Sequence, residues 1–214
     1  ELSIIVAEQL KDKRKTFLVS YLLWENGKIK VDDFTSSKYG KYYPSHSVGK
    51  SFVSYMVGHA ICEGHIGSVN HKLNDWPLIK TSLYGEQNLI DLLNMRARDQ
   101  HVVTEADGFI KTGRWFNPIS IKNAAADINN TKPAKKAVFN YNGFTSNLIM
   151  SYVRFKVGDN WGTFLDKVFK AHIGISERFV FQKANGADEK DGLGSYSAYA
   201  SRYDYLRLAI TILN

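Results

Sequence analysis

The sequence lacks several features that would narrow its class at once. It has one cysteine, Cys62, in 214 residues, which excludes an internal disulfide. Cys62 follows an apolar helical stretch, so we expect its thiol in the core. The apolar run over residues 17–24 is far too short to span a membrane. The chain starts at Glu1 without a basic n-region or an apolar h-region, so we expect that any targeting segment was removed or never present.

The composition indicates a folded, basic protein. Hydrophobic residues make up 44% of the chain and aromatic residues 13%, which favours a globular protein over a disordered one. The formal net charge is +7, and acidic residues lie between the basic clusters, which favours a solvated basic surface. A nucleic-acid-binding domain would need these charges on one face. It stays an alternative, for which retention on DNA should weaken steeply with salt.

Local patterns predict a mixed α and β chain. Asn26-Gly27 between two β-prone runs predicts a hairpin of residues 17–24 with residues 28–34. Apolar residues at helical spacing predict a helix that begins near Ser47 and ends near Glu63. The other predicted elements are helices over 2–10, 89–95, 144–153, 161–169 and 200–213, a short strand over 179–181, and irregular structure over 96–132.

Ser47 and Lys50 stand three residues apart where the first long helix begins. Residues i and i+3 share a helix face, so the Lys50 ammonium can reach the Ser47 hydroxyl if the pair is buried. A serine hydroxyl is a weak nucleophile that needs a base or a neighbour that lowers its pKa. The helix N-terminus adds free N–H groups and a positive dipole end, both suited to an oxyanion. This pattern favours Ser47 as a nucleophile.

Two other interpretations of the same residues have to be considered. Gly49-Lys50-Ser51 is how a phosphate-binding P-loop ends, but the full motif needs a glycine five residues before Gly49, where this chain has Pro44. Ser47 can also be read as a helix N-cap beside a solvated lysine. Ser47 and Lys50 alone do not separate the N-cap from the nucleophile.

The order of motifs resembles that of the serine β-lactamases and penicillin-binding proteins, most of all the branch of class C β-lactamases, esterases and 6-aminohexanoate-dimer hydrolases. Ser47-Val48-Gly49-Lys50 is similar to the S-x-x-K motif of that family. Phe139-Asn140-Tyr141-Asn142-Gly143 looks like its F-x-Y-x-N element. The resemblance runs from about residue 15 to the end, with further matching segments at 64–66, 73–75, 92–95, 171–175 and 192–197.

The resemblance implies three catalytic residues. Ser47 would be acylated, Lys50 would help to take its proton, and Tyr141 would be the second acid or base. The Ser47 backbone N–H would be one oxyanion donor. A phenol with an ordinary pKa of ~10 can act near neutral pH only if positive charge, such as that of Lys50, favours the phenolate or passes a proton.

The chain also departs from the family pattern. The asparagine of Y-x-N falls at Gly143, so Asn142 or Asn147 would have to supply the amide contact to substrate. We therefore name Asn142, Gly143 and Asn147 as candidate substrate-binding residues. No K-T-G or H-x-G follows the last predicted helix before Asn214. The literal K-T-G at Lys111-Thr112-Gly113 precedes the tyrosine motif, and we expect it to be a decoy.

The pattern and the resemblance together predict an α+β protein of the α/β sandwich type with the β-lactamase/transpeptidase-like fold. This fold would comprise a helical subdomain and part of an antiparallel sheet. We expect one domain over residues 1–214, made of an N-terminal helix and hairpin over 1–40, a mostly helical catalytic part over 41–190 and a returning helix over 191–214. We expect the strands that complete the sheet to follow residue 214.

The predicted function is a serine hydrolase that acts through an acyl-enzyme on a small ester, amide or β-lactam. We expect a small-molecule substrate, no nucleic acid, no membrane span and no cofactor. We also expect no metal, since the acidic and histidine residues over 59–71 lack H-E-x-x-H spacing. The compartment is left open, with a bacterial periplasmic or secreted location favoured, and substrate identity and oligomeric state are open too. The alternative is a non-catalytic binding or scaffold module, which Gly143 and the missing edge motif suggest.

Overall fold

A computed structural model of the protein describes residues 19–34, 41–103, 121–176, 179–182 and 195–213, together with residues 4, 5 and 8, which are helical. The first complete element is a hairpin of antiparallel strands β1 (Ser20–Glu25) and β2 (Lys28–Phe34). Asn26 and Gly27 between them have φ of 51° and 77°. This left-handed backbone suits a two-residue hairpin turn, and asparagine and glycine adopt it most readily. The hairpin prediction is confirmed.

The central helix α1 (Gly49–Cys62) follows a 3₁₀ turn over His46–Val48. Its buried face consists of apolar side chains at helical spacing, which Phe52, Val53, Met56, Val57 and Ala60 provide. This face packs against a second long helix, Gly143–Val157. The two helices form the centre of the hydrophobic core that positions the site.

Shorter helices surround this pair. They are α2 (Leu89–Leu93), α3 (Ile121–Ile128), α5 (Trp161–Leu165, continued by π-helical turns over Asp166–Ala171) and α6 (Arg202–Leu213), and the long helix Gly143–Val157 of the pair is α4. Further 3₁₀ turns cover Leu73–Asp75 and Gly158–Asn160. No helix in the described part of the chain is both long enough and apolar enough to cross a membrane.

A second, smaller antiparallel sheet has the strand order β3-β5-β4, with β3 (Tyr43–Pro44), β4 (Val180–Phe181) and β5 (Ala198–Ala200). Strand β4 lies within the strand predicted over 179–181. Strand β5 was not predicted, because three residues carry too little pattern. Its pairing with β3 brings the chain just before Ser47 next to the chain just before α6.

A buried carboxylate holds the start of α6. Asp204 is 0% exposed. It accepts hydrogen bonds from the hydroxyls of Ser201 and Ser176, each at 2.7 Å, and from their backbone N–H groups at 3.0 Å. In return, the Asp204 backbone N–H donates to the Ser201 hydroxyl oxygen at 3.2 Å. This reciprocal pairing is a capping box, and it fixes α6 relative to the turn at Ser176.

Several predictions differ from the structure. Residues 121–128 form α3 inside the stretch predicted to be irregular, because Ile121, Ala124, Ala125 and Ile128 place four buried side chains on one helical face. Cys62 is exposed, since it lies on the outer side of the last turn of α1. Most of the helix predicted over 2–10 lies outside the described residues.

Candidate active site

The chain immediately before Ser47 is fixed by the small sheet. The Ser45 N–H donates to the Ala198 carbonyl at 2.7 Å, and the Ser45 hydroxyl accepts from the Ala198 N–H at 2.8 Å. His46 then has a φ of 43°, a left-handed conformation that costs a residue with a side chain about 1–2 kcal/mol. The chain changes direction sharply here and enters the 3₁₀ turn, in which Ser47 is exposed.

Ser47, Lys50 and Tyr141 form a continuous hydrogen-bonded series. The Tyr141 phenol donates to Ser47 Oγ at 2.7 Å, and Lys50 Nζ donates to the Tyr141 phenol oxygen at 3.0 Å. Their spacing of three residues predicts a direct approach of the Lys50 ammonium to the Ser47 hydroxyl. In the structure these hydrogen bonds pass through the phenol oxygen of Tyr141, which therefore lies between the cation and the hydroxyl.

The hydrogen bonds of this series change the pKa of the Tyr141 phenol. The hydrogen bond from Lys50 lowers the pKa of Tyr141 below its ordinary value, and the hydrogen bond with Ser47 lowers it further, while partial burial opposes both. Tyr141 is 37% exposed, so solvent screens part of this effect. A lower pKa means that a larger fraction of the phenol is ionised at a given pH, and the phenolate is the form that accepts a proton. The arrangement can therefore take a proton from the Ser47 hydroxyl.

Tyr196 is a member of the site that sequence reasoning missed. Lys50 Nζ lies 3.9 Å from the centre of the Tyr196 ring and 4.6 Å from the centre of the Tyr141 ring. Ring faces attract cations because of the quadrupole of the π-system. The two phenol rings thus hold the ammonium on the side of the Tyr141 oxygen.

Two glycines make room for Tyr196. A Cβ atom at Gly49 would overlap the Tyr196 carbonyl oxygen and lie 2.6 Å from Ser45 Oγ. A Cβ atom at Gly143 would lie 3.1 Å from Cε1 of the Tyr196 ring. Gly143, a predicted substrate-binding residue, is the first residue of α4 and lies against this ring. The family pattern has asparagine at this position, and the change to glycine is the sequence signal that could have indicated a side chain packed here.

The predicted substrate contact by Asn142 is not supported by its hydrogen bonds. Asn142 is 1% exposed and caps α4, because its Oδ1 accepts from the Thr145 N–H at 2.9 Å. Its Nδ2 donates to Asp99 Oδ2 at 3.3 Å and to the Asn140 carbonyl at 3.0 Å. Both ends of the amide are used inside the protein.

Asn147 also has an internal role. It is 3% exposed, and its Oδ1 accepts from the Tyr196 backbone N–H at 2.7 Å. A substrate contact by this side chain would compete with that bond. Asn147 thus fixes the segment that carries the Tyr196 ring, and its contribution to the site is indirect.

Two other features of the sequence can be placed. The K-T-G at Lys111-Thr112-Gly113 lies outside the described residues. Among the residues that the structure does describe, no group of three or more histidine, cysteine, aspartate or glutamate side chains is arranged to hold a metal ion.

Comparison with known proteins identifies the fold. Searches against family models and against curated sequences give no match. Among solved structures, a class C beta lactamase matches with a TM-score of 0.68 and 13% identity, over 97% of this chain and 63% of that one. A class C beta-lactamase in complex with cefoxitin matches with a TM-score of 0.67 and 12% identity, over 97% and 65%.

A third match is the octameric penicillin-binding protein homologue from Pyrococcus abyssi, with a TM-score of 0.59, 14% identity, and coverage of 99% of this chain and 56% of that one. The present chain thus spans less than two thirds of the length of each of these structures. At identities of 12–14%, these matches show a shared fold but do not show a shared reaction. The chain has the β-lactamase/penicillin-binding-protein-like fold, as the sequence analysis expected.

Proposed function

We propose that this chain carries the catalytic centre of a serine hydrolase, which acts through an acyl-enzyme on a small ester, amide or β-lactam. The observation that supports this most is the series from the Lys50 ammonium through the Tyr141 phenol to the Ser47 hydroxyl, with bonds of 3.0 and 2.7 Å. A weak nucleophile, a base of lowered pKa and a cation that stabilises the base are the components that activated serines need.

The acylation step follows from these contacts. At rest the Tyr141 phenol donates to Ser47 Oγ. When the phenol is ionised beside Lys50, the direction reverses and the Ser47 hydroxyl donates to the phenolate. Ser47 Oγ then forms a bond to the substrate carbonyl carbon as its proton passes to Tyr141. The carbonyl oxygen becomes an oxyanion, for which the Ser47 backbone N–H at the start of the helical segment is one donor.

The remaining steps return the proton. The tetrahedral intermediate collapses with loss of the leaving group, which takes the proton held by Tyr141, and an ester to Ser47 remains. Water then attacks this ester and gives its proton to Tyr141, and a second collapse releases the acid and restores the Ser47 hydroxyl. The Lys50 side chain, which donates to the phenol oxygen, stabilises each phenolate form of Tyr141.

Turnover of a chromogenic ester tests the proposal. We expect p-nitrophenyl acetate hydrolysis by the protein to fall by at least about a hundredfold in Ser47→Ala and in Tyr141→Phe. The matched control is Ser54→Ala, which removes an exposed serine hydroxyl from the same helix and should leave the rate unchanged. Full activity in Ser47→Ala, with the protein folded, would contradict the proposal.

A non-catalytic binding module with the same fold is the second candidate. Gly143 favours it, because the Tyr196 ring occupies the space next to the position where the family pattern has an amide. A folded protein that binds penicillins or esters reversibly but hydrolyses none of them would support this candidate. Ester turnover that is lost in Tyr141→Phe would rule it out.

A further inference from the structure

One buried carboxylate lies behind the tyrosine of the site. Asp99 is 0% exposed and accepts four hydrogen bonds, from Tyr84 Oη at 2.9 Å, Asn140 Nδ2 at 2.8 Å, Asn142 Nδ2 at 3.3 Å and Thr145 Oγ1 at 3.3 Å. Burying a carboxylate costs several kcal/mol unless hydrogen bonds compensate it. Because burial of this carboxylate is unfavourable and it lies next to the segment that contains Tyr141, we looked for a function of Asp99 in the site.

Two of the four donors are the chain neighbours of Tyr141. Asn140 and Asn142 are 4% and 1% exposed, whereas Tyr141 between them is 37% exposed. Asn140 Nδ2 also donates to the Val103 carbonyl at 3.1 Å. The segment is thus held on both sides of Tyr141 by side chains that turn inwards to the same carboxylate, while the phenol is directed out to Ser47.

The position of the phenol oxygen sets its chemistry. Its bonds to Lys50 and Ser47, of 3.0 and 2.7 Å, lie inside the normal range, and a displacement of about 1 Å would take both out of it. Displacements of that size in catalytic groups cost about a hundredfold in rate. Contacts that hold residues 140–142 in place therefore affect the pKa of Tyr141 and, through it, the activation of Ser47.

We propose that Asp99 is the positioning residue of the site, which anchors Asn140 and Asn142 so that the Tyr141 phenol lies between Lys50 and Ser47. This proposal rests on the proposed function of Tyr141. Asp99 itself touches neither Ser47 nor Lys50 in the hydrogen bonds described, so it acts through the two asparagines. Tyr84 and Thr145 supply the other two hydrogen bonds to the carboxylate.

A positioning role and a purely electrostatic role predict opposite signs. The negative charge of Asp99 opposes a phenolate nearby, so removing only the charge would lower the pKa of Tyr141. Removing the anchor lets the phenol leave Lys50, whose hydrogen bond lowers that pKa, so the pKa would rise. Among the residues that the structure describes, Lys50 contacts the phenol and Tyr196 contacts Lys50, and neither residue is changed in the test variant.

The experiment compares Asp99→Asn with Asp204→Asn. Both carboxylates are 0% exposed and accept several hydrogen bonds, but Asp204 serves the start of α6. The Tyr141 phenol is titrated by NMR in protein with ¹³C-labelled tyrosine, and its signal is assigned from its absence in Tyr141→Phe. The rate of Ser47 labelling by a fluorophosphonate is measured beside it, at a temperature where all variants are folded.

We expect Asp99→Asn to raise the pKa of Tyr141 and to lower the labelling rate by about tenfold to a hundredfold. Asp204→Asn should leave the pKa unchanged and the rate within about twofold, because a loss of stability alone does not move the phenol. An unchanged or lowered pKa in folded Asp99→Asn would overturn the proposal.

Two provisions keep the test decisive. If Asp99→Asn does not fold, Asn140→Ala removes one anchor and leaves Asp99 with three donors, and the same rise in the pKa of Tyr141 is expected. If the unaltered protein is not labelled at Ser47, the proposed function fails, but the titration needs no catalysis and still decides the role of Asp99.

Discussion

At the scale of single residues, the pKa of Tyr141 is the property on which the account depends. Lys50 lowers that pKa through a hydrogen bond, so the phenolate is populated at a lower pH than for a free phenol. Because the phenolate takes the proton of Ser47, activity should rise with pH and level off above the pKa of Tyr141 in the folded protein. That pKa lies below the ordinary value of ~10.

Replacement of Lys50 by methionine tests this dependence. The variant keeps an apolar chain of similar length but loses the ammonium, so we expect the rise of kcat/KM with pH to move to higher pH, as the pKa of Tyr141 returns towards ~10. A pH–rate profile with p-nitrophenyl acetate measures the shift.

The control for this variant is Lys156→Met. Lys156 Nζ donates to Asp75 at 2.7 Å, and Asp75 also accepts from another tyrosine, Tyr152, at 2.8 Å. This change removes a lysine beside a different tyrosine, and the profile should keep its position. An identical profile for Lys50→Met and the unaltered protein would contradict the role of the ammonium.

The structure brings together the three residues that the sequence named as catalytic candidates through short spacing or a known motif. Ser47 and Lys50 are three positions apart, and Tyr141 was found through a motif resemblance. Asp99 and Tyr196 were missed because they have no local pattern and join the site through partners more than 40 residues away. Asn142 was named as a candidate substrate contact because Gly143 stands where the family pattern has asparagine, and the structure uses its amide to cap α4.

At the scale of elements, helix α1 depends on a glycine at its first residue. The Tyr196 carbonyl oxygen and Ser45 Oγ occupy the space that a side chain at Gly49 would need. Both belong to segments held by the small sheet, so neither moves without disturbing β3 or β5. Gly49 in the S-x-x-K motif is therefore explained by close packing against Tyr196 and Ser45. This explanation does not require the phosphate-binding interpretation of Gly49-Lys50-Ser51.

We expect Gly49→Ala to lower the free energy of unfolding by about 2 kcal/mol or more, as in other overpacked sites, and to slow Ser47 labelling. Gly58→Ala is the matched control on the same helix. A Cβ atom at Gly58 meets nothing within 4 Å, so alanine there should raise the free energy of unfolding by about 1 kcal/mol through helix propensity. Urea denaturation measures both. Equal effects of the two changes would contradict the packing role of Gly49.

Elements with a strong local sequence pattern were predicted, whereas elements with a weak or hidden pattern were missed. The hairpin and α1 were read correctly from Asn26-Gly27 and from apolar spacing. Helix α3 was missed because the polar run over 127–131 hid the spacing of its apolar residues. Strand β5 is three residues long and exists because β3 and β4 pair with it, which no local pattern reveals.

At the scale of the whole molecule, the fold and the reaction rest on different evidence. Solved structures with 12–14% identity share the fold over nearly all of this chain. The chain covers 56–65% of their length, so the substrate and the activity of the whole protein are proposals. What this chain supplies is the core around α1 and α4 and the series of Lys50, Tyr141 and Ser47 on it.

The most direct test of the central claim is the site of covalent attachment of a fluorophosphonate probe. The account predicts that intact-protein mass spectrometry shows one label per chain, that peptide mapping places it on Ser47, and that labelling disappears in Ser47→Ala and slows strongly in Tyr141→Phe. Label on another residue, or labelling that survives Ser47→Ala, would contradict the account.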